Sequence, residues 1–334
     1  MAQIATTQIG SSARCISELG LGCASLAGIF QPVPEADARG TIAAALEAGI
    51  SYFDTAPFYG HGLSERLLGD GLRRQTGITL SSKVGRLLEP GAPADPGAWV
   101  TALPFRPVYD YSYDGIMRSY EASLHRLGLD RIDILYLHDI GDLTHGMADG
   151  PPLFDLAMTD GYRALEGLRS SGAISAFGLG ANETQVCLDA LDRGDWDVFL
   201  LAGRYTLLEQ APLETLLPAC QAQGTDLIIG GPFNSGVLAG GETFDYDHIP
   251  DSVAMKVRAL HAVCSAHDVA LPAAALQFPV AHPCVKSVIP GPRNPGELAQ
   301  ILDWWSAEIP AAFWSDLKQQ NLLLTDAPTP EERA

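Results

Sequence analysis

Eight short apolar runs, each bounded by turn residues, recur along the chain with helix-period stretches between them. They are Glu18–Cys23, Ile50–Ala56, Thr79–Val84, Asp133–His138, Ile174–Gly180, Asp197–Ala202, Asp226–Gly230 and Lys286–Pro290. Several are apolar at successive positions (Ile132, Ile134, Leu135 and Leu137; Val198 to Leu201), as strands buried on both faces are. Between them, Ala38–Ala48 is Ala-rich, and Asp114 is placed to cap a helix with apolar positions Ile116, Met117, Tyr120, Leu124 and Leu127. Asn294-Pro295-Gly296-Glu297 reads as an N-cap, a Pro at the first helical position and a capping-box Glu. Strand–helix alternation repeated eight times implies parallel strands. A closed (β/α)8 TIM barrel of the α/β class, in a single domain, is the most economical solution. A doubly wound open sheet is the alternative, weakened because no Gly-x-Gly-x-x-Gly follows the first run.

The single domain is expected over residues 1–334, with a barrel core at about 17–320. Residues 2–16 are expected to form a small hairpin plugging one end, and the tail 325–334 to be mobile. Two connections are too long to be turns: Gly85–Tyr113 after the third run and Phe233–His282 after the seventh. Both would leave the C-terminal face of a barrel, where active sites sit.

Composition narrows the function classes. With 47% hydrophobic and 18% charged residues, the chain can build a large core and is not disordered. Its net charge of −19 repels phosphate backbones and anionic lipid, so neither nucleic acid nor membrane is an expected partner. The six cysteines are scattered without a Cys-x-x-Cys pair, which argues against a disulfide framework or zinc site and fits a reducing compartment. The N-terminus lacks a signal-peptide pattern, and no apolar run approaches the roughly 20 residues of a membrane span. A cytoplasmic protein acting on a small molecule is expected; its oligomeric state is not legible.

Four polar residues fall at or just after successive strand ends: Asp54 and Tyr59 after the second, Lys83 at the third and His138 at the fourth. In a closed parallel barrel they converge on one mouth. A free tyrosine, with a pKa of about 10, accepts a proton poorly near neutrality. An ammonium nearby favours its phenolate, and a carboxylate keeps a buried ammonium charged. Asp54 holding Lys83, and Lys83 tuning Tyr59, would make an acid–base device, with neutral His138 polarising the reacting oxygen. Each residue alone has an ordinary structural reading as a cap, packing ring or surface charge. One His with one Asp is too few ligands for a closed metal site, so no metal is expected.

Phe53-Asp54-Thr55-Ala56-Pro57-Phe58-Tyr59-Gly60, Ser82-Lys83-Val84, Leu135-Tyr136-Leu137-His138 and Ser287-Val288-Ile289-Pro290-Gly291 together resemble the motifs of the aldo-keto reductase superfamily. The resemblance implies a (β/α)8 barrel that binds NAD(P) without a Rossmann motif. It also implies that Asp54, Tyr59, Lys83 and His138 are the catalytic tetrad of an oxidoreductase. The cofactor motifs depart from the commoner pattern. Gly180-Ala181-Asn182-Glu183 follows the fifth strand, Leu201-Ala202 ends the sixth, and Gly230-Gly231-Pro232-Phe233 follows the seventh. The cofactor-binding candidates are Asn182, Arg204, Phe233, Asn234, Ser235, Gly236, Ile289, Gly291, Arg293 and Glu297. A Gly at 291 and a carboxylate at 297 imply that NAD is preferred and NADP tolerated.

The segments Leu201–Leu208 and Phe233–Leu238 and the stretch from Ile309 to Lys318 resemble a bacterial sugar-oxidising branch. The implied reaction is oxidation of the C1 hydroxyl of a cyclic aldose, of L-fucose or related threo type, to the lactone. Pyridoxal and L-galactose are competing substrates. A nucleotide-binding regulatory subunit and a barrel hydrolase or isomerase are remoter alternatives. Phe58, His61, Trp99 and Tyr109 are the substrate-binding candidates, from a loop and insertion also carrying Phe105, Arg106, Tyr111 and Tyr113.

Overall fold

A computed structural model describes residues 4–10, 12, 14–93 and 97–333. All eight expected runs form parallel strands: β1 (Leu21–Gly22), β2 (Tyr52–Asp54), β3 (Thr79–Val84), β4 (Ile134–His138), β5 (Ala176–Ala181), β6 (Val198–Ala202), β7 (Asp226–Gly230) and β8 (Val285–Ile289). Each pairs with its neighbours in sequence, so the strand order follows the chain. The ring closes between its ends. Gly20 N–H donates to Val288 O, Val288 N–H to Glu18 O and Gly22 N–H to Pro290 O, all at 2.9 Å.

The strands are buried on both faces, as their unbroken apolar runs require. One face fills the barrel with Tyr52, Ile134, Tyr136, Ala176, Val198, Leu200, Ile228 and Ile289. The other packs against the surrounding helices. The N-terminal hairpin, Thr6–Gln8 against Cys15–Ser17, brings fully buried Ile9 and Ile16 into the interior cluster and plugs that end. Carboxylates at strand starts fasten it: Asp226 accepts Gly10 N–H at 2.6 Å, and Asp133 lies 3.0 Å from Arg14.

The outer helices differ from expectation at their ends. The first spans Glu35–Glu47, three residues before the Ala-rich stretch. Helix Tyr113–Leu127 is capped by Ser112, not Asp114. Ser112 has extended backbone and its Oγ accepts Gly115 N–H at 3.1 Å, while Asp114 sits in the first turn. Helix Pro295–Trp305 opens on the expected N-cap, with Asn294 Oδ1 accepting Glu297 N–H at 2.9 Å, but the Glu297 carboxylate accepts Arg293 N–H in place of the Asn294 N–H of a capping box.

Both long connections leave the same end of the barrel. The one after β3 contains an antiparallel hairpin, Arg86–Pro90 with Phe105–Tyr109. The one after β7 opens with the 3-10 turn Asn234–Ala239 and continues through helix Asp251–His267. The tail does not leave the body where expected. Ala327 and Thr329 are buried, because the Gln210 side chain anchors the approach by binding Leu322 O and Leu324 N–H. Among the described residues no single helix is long and apolar enough to cross a membrane.

Candidate active site

The mouth of the barrel is built on a buried ion pair. Lys83 Nζ at the end of β3 lies 2.7 Å from Asp54 Oδ2 at the end of β2, and each side chain is 2% exposed. Lys83 also donates to Thr55 O at 3.0 Å. Ser81 Oγ donates to Asp54 Oδ1 at 2.7 Å and contacts the Tyr52 hydroxyl, which in turn meets Tyr136. Both carboxylate oxygens are therefore partnered, as a buried charge requires. Burial pushes the Asp54 carboxyl up, and Lys83 and Ser81 pull it back.

Tyr59 follows in the turn after β2, and the Lys83 ammonium lies 4.6 Å from its ring centroid. His138, ending β4, meets that ring edge-on at 6.0 Å. The structure thus brings the four sequence candidates together. Burial outweighs the expected tuning of the phenol by lysine. Burial pushes the Tyr59 hydroxyl well above its ordinary value, and Asp54 and Asp139 push the same way, while Arg86 opposes them. Burial is the leading cause, and the Asp54 carboxylate, 2.7 Å from Lys83, works against the pull of the lysine on the phenol. Tyr59 rests protonated, equipped to donate. Burial, then Arg86 and Lys83, hold His138 well below its ordinary value, so the imidazole is neutral.

Phe58 and Trp99 wall the mouth. Trp99 packs edge-on to Phe58 and tilted over Tyr59, both at 5.7 Å. Tyr109 lies further out, beside a cavity of about 500 Å³ that it shares with Thr144, His145, Asp149, Pro152 and Leu153. His61 is not part of this wall. It is 1% exposed and its ring meets the backbone of Leu103 and Phe105, where it holds the insertion down. Tyr111 also anchors, donating from a buried hydroxyl to His138 O at 2.9 Å.

Two residues that the motifs did not single out enter the site. Arg86, 3% exposed, stacks its guanidinium on Phe58 at 4.3 Å and binds Asp139 Oδ2 through Nη2 at 2.6 Å. Asp139 follows His138 in sequence, where it could line the site or belong to a packed helix–barrel interface. A positive φ of 46° turns it back so that Oδ2 lies 3.5 Å from His138 Nε2. An arginine three residues past a strand-end lysine was the available signal. The contacts continue around the rim: Asn182 Nδ2 donates to Asp139 Oδ1, Arg204 Nε to Asn182 O, and Arg204 Nη1 to Asp245. Asn182 and Arg204 thus lie on the rim, already engaged.

The other cofactor candidates divide between backbone and side chain. Asn234 is 1% exposed, and its amide braces two loops by donating to Gly203 O and accepting from Thr206, so only its backbone faces a ligand. Ser235 and Gly236 continue in left-handed backbone, and Ser235 Oγ accepts Tyr246 N–H. Phe233 packs on Trp304, and Ile289 belongs to the barrel interior. A Cβ on Gly291 would fall 2.6 Å from Ser25 Oγ, so a side chain here requires the serine to turn away. Arg293 and Glu297 pair at the start of helix Pro295–Trp305. Bare backbone at 291, a cation at 293 and a helix N-terminus on one lip are chemically suited to a dinucleotide.

A parallel barrel whose strand ends carry a phenol, an ammonium–carboxylate pair and a neutral imidazole defines an oxidoreductase of the proton-and-hydride kind. The chain belongs to the aldo/keto reductase family, whose model matches residues 18–321. It is 44% identical over 333 residues to pyridoxal 4-dehydrogenase from Microbacterium luteolum, covering 94% of this chain and 97% of that one. It is 38% identical over 323 residues to D-threo-aldose 1-dehydrogenase from a Pseudomonas species, covering 93% and 95%. Among solved structures, the holo form of an aldo-keto reductase from Bacillus halodurans superposes with a TM-score of 0.73 at 25% identity, covering 99% and 100%. The glycerol dehydrogenase of Gluconobacter oxydans matches in fold, with a TM-score of 0.74 at 20% identity, covering 99% and 98%. Proteins of this family work with NAD(P)H.

Proposed function

We propose that this chain is an NAD-linked dehydrogenase that oxidises the hydroxyl of a cyclic hemiacetal to a lactone, with the hemiacetal of pyridoxal as its foremost substrate. The observation that carries the reading is the Lys83–Asp54 pair beside Tyr59 and His138, in a mouth walled by Phe58 and Trp99. A bound oxidised nicotinamide would supply the hydride acceptor. His138, neutral, orients the substrate oxygen. For oxidation the Tyr59 phenol first releases its proton to water; the phenolate then takes the hydroxyl proton as the C–H hydride leaves, and in the reverse direction the phenol returns it. Lys83, held by Asp54, stabilises the phenolate that alternates with the phenol.

Sequence reading placed an aldose first. The relative at 44% identity and the flat aromatic walls favour pyridoxal, an aromatic aldehyde that closes onto its own hydroxymethyl arm. The threo-aldose reading keeps the support of the relative at 38%. For the nucleotide, Glu297 supports NAD, because a carboxylate suits a ribose 2′-hydroxyl and repels a 2′-phosphate. The deciding measurement is initial rates with pyridoxal, L-fucose, L-galactose and D-arabinose, each with both dinucleotides. Pyridoxal with NAD is expected to give the highest kcat/KM. A sugar exceeding pyridoxal overturns the substrate order, and no oxidation of any of the four overturns the hemiacetal reading.

A further inference from the structure

The tetrad explains hydride and proton movement but leaves unused the charged pair set into the wall beside it. Asp139 Oδ2 is shared: Arg86 Nη2 lies 2.6 Å from it and His138 Nε2 lies 3.5 Å from it. Arg86 is 3% exposed, and its Nε has no hydrogen-bond partner among the described residues. An unpaired buried N–H is costly to stability, and a purely structural ion pair gives no reason to retain one. Both members are held rigidly. The guanidinium lies on the Phe58 ring at 4.3 Å, with the Tyr109 ring at 5.3 Å on its approach and the Tyr111 hydroxyl alongside. Asn182 fixes the other carboxylate oxygen at 3.1 Å. The wall therefore holds a buried cation, Arg86, against a fixed acceptor, Asp139, whose Oδ2 stands 3.5 Å from His138 Nε2.

We propose that Arg86 and Asp139 form a donor–acceptor pair that selects substrates carrying a second oxygen within two carbons of the reacting carbon. This deepens the hemiacetal reading and rests on it. A hydroxyl or phenol there both accepts from Arg86 and donates to Asp139, and an ionised phenol takes the Arg86 bond alone. The pair is internally neutralised, so it demands no net charge of its ligand. Both candidate substrates meet the requirement, the aldose through its C2 hydroxyl and pyridoxal through its ring phenol. A plain aldehyde offers nothing to the pair, which is how a site built on hydrogen bonds discriminates.

The test uses reduction of two aldehydes that differ by one oxygen, 2-hydroxybenzaldehyde and benzaldehyde, with NADH and the intact enzyme. Wild type is expected to favour the hydroxylated aldehyde by about 10–100-fold in kcat/KM, the range of a charge-assisted hydrogen bond. Arg86→Met and Asp139→Asn are expected to bring that ratio towards one, mainly through KM for the hydroxylated compound. Arg86→Lys, which keeps the charge and loses the fork, is expected to fall between. NADH binding by fluorescence and a melting curve report whether each variant is folded. If Arg86→Met does not fold, the wild-type ratio and Arg86→Lys still decide. A wild-type ratio near one, or an unchanged ratio in folded Arg86 variants, overturns the proposal. The aldehyde pair needs no hemiacetal, so failure to oxidise pyridoxal or sugars registers separately.

Discussion

Arg293 and Glu297 lock together one helical turn apart, Nη2 to Oε1 at 2.7 Å, with Nε reaching both carboxylate oxygens at 3.0 and 3.2 Å. The Arg293 backbone N–H adds a further bond to Oε2 at 2.9 Å, so this glutamate reaches one residue further back than a capping box does. Burial pushes its carboxyl up, but these bonds outweigh burial and hold it below its ordinary value, ionised at neutral pH. A 2′-phosphate must therefore approach a fixed negative charge and compete with it for the guanidinium. The Michaelis constant is expected to be lower for NAD than for NADP. Glu297→Gln is expected to narrow the gap by about fivefold, since one exposed charge interaction is worth about 1 kcal/mol. A lower constant for NADP in the unaltered enzyme refutes the preference.

Tyr59→Phe tests the acid–base assignment directly. Removing one oxygen leaves the ring packed on Trp99 and over Lys83, so folding and dinucleotide binding are expected to persist. Turnover is expected to fall by at least about two orders of magnitude, the usual worth of a positioned acid or base. Near-normal turnover would sink the assignment.

Much of this was legible because it follows from periodicity. The eight strands came from apolar runs, and in a closed parallel ring strand ends share one mouth, which brings Asp54, Lys83 and His138 together. What the sequence concealed depends on backbone turns and exact partners. Asp139 beside a catalytic histidine looks like packing until its left-handed φ is known. His61 beside Tyr59 looks like a pocket residue until its ring is seen against the backbone of the insertion. That burial outweighs the pull of Lys83 on Tyr59 was hidden, because strand-end motifs do not report how fully the phenol is enclosed.

Asp54→Asn separates holding from catalysis. The amide can keep the contact with Ser81 but leaves the Lys83 ammonium buried without its counter-charge. Breaking one side of a buried pair costs about 3–5 kcal/mol. The denaturant midpoint should fall accordingly, with a loss of activity even under conditions where the variant is folded. Wild-type stability in Asp54→Asn is incompatible with the pair as described.

Gly69 tests the packing of the outer ring. It lies in helix Leu63–Leu72 where a Cβ would fall 1.8 Å from Leu127 O, the last residue of helix Tyr113–Leu127. Gly69→Ala must push the two helices apart, and overpacking of this kind costs about 1–3 kcal/mol or more. Gly77→Ala is the comparison: it meets no atom within 4 Å but has a φ of +73°, so only backbone strain opposes it. The larger loss in denaturant stability is expected at Gly69.

Acid sensitivity is expected to arise partly from buried neutral imidazoles. Burial lowers His282 from its ordinary value to about 4, and its Nδ1 accepts Cys284 N–H at 3.2 Å, a bond that protonation of that nitrogen removes. Once unfolded, the same side chain titrates near 6.5. Between those two values the unfolded chain binds a proton that the folded chain refuses, so stability falls as pH drops from about 6.5 towards 4. The slope approaches 1.4 kcal/mol per pH unit for each such histidine, or about 3 kcal/mol over the His282 window. His138 is shifted in the same direction and adds to the slope. His282→Asn offers a non-titrating acceptor at the Nδ1 position, so it is expected to flatten the pH dependence of unfolding by nearly one proton. An unchanged profile in that variant would remove His282 from the account and leave the acid sensitivity to the other buried groups.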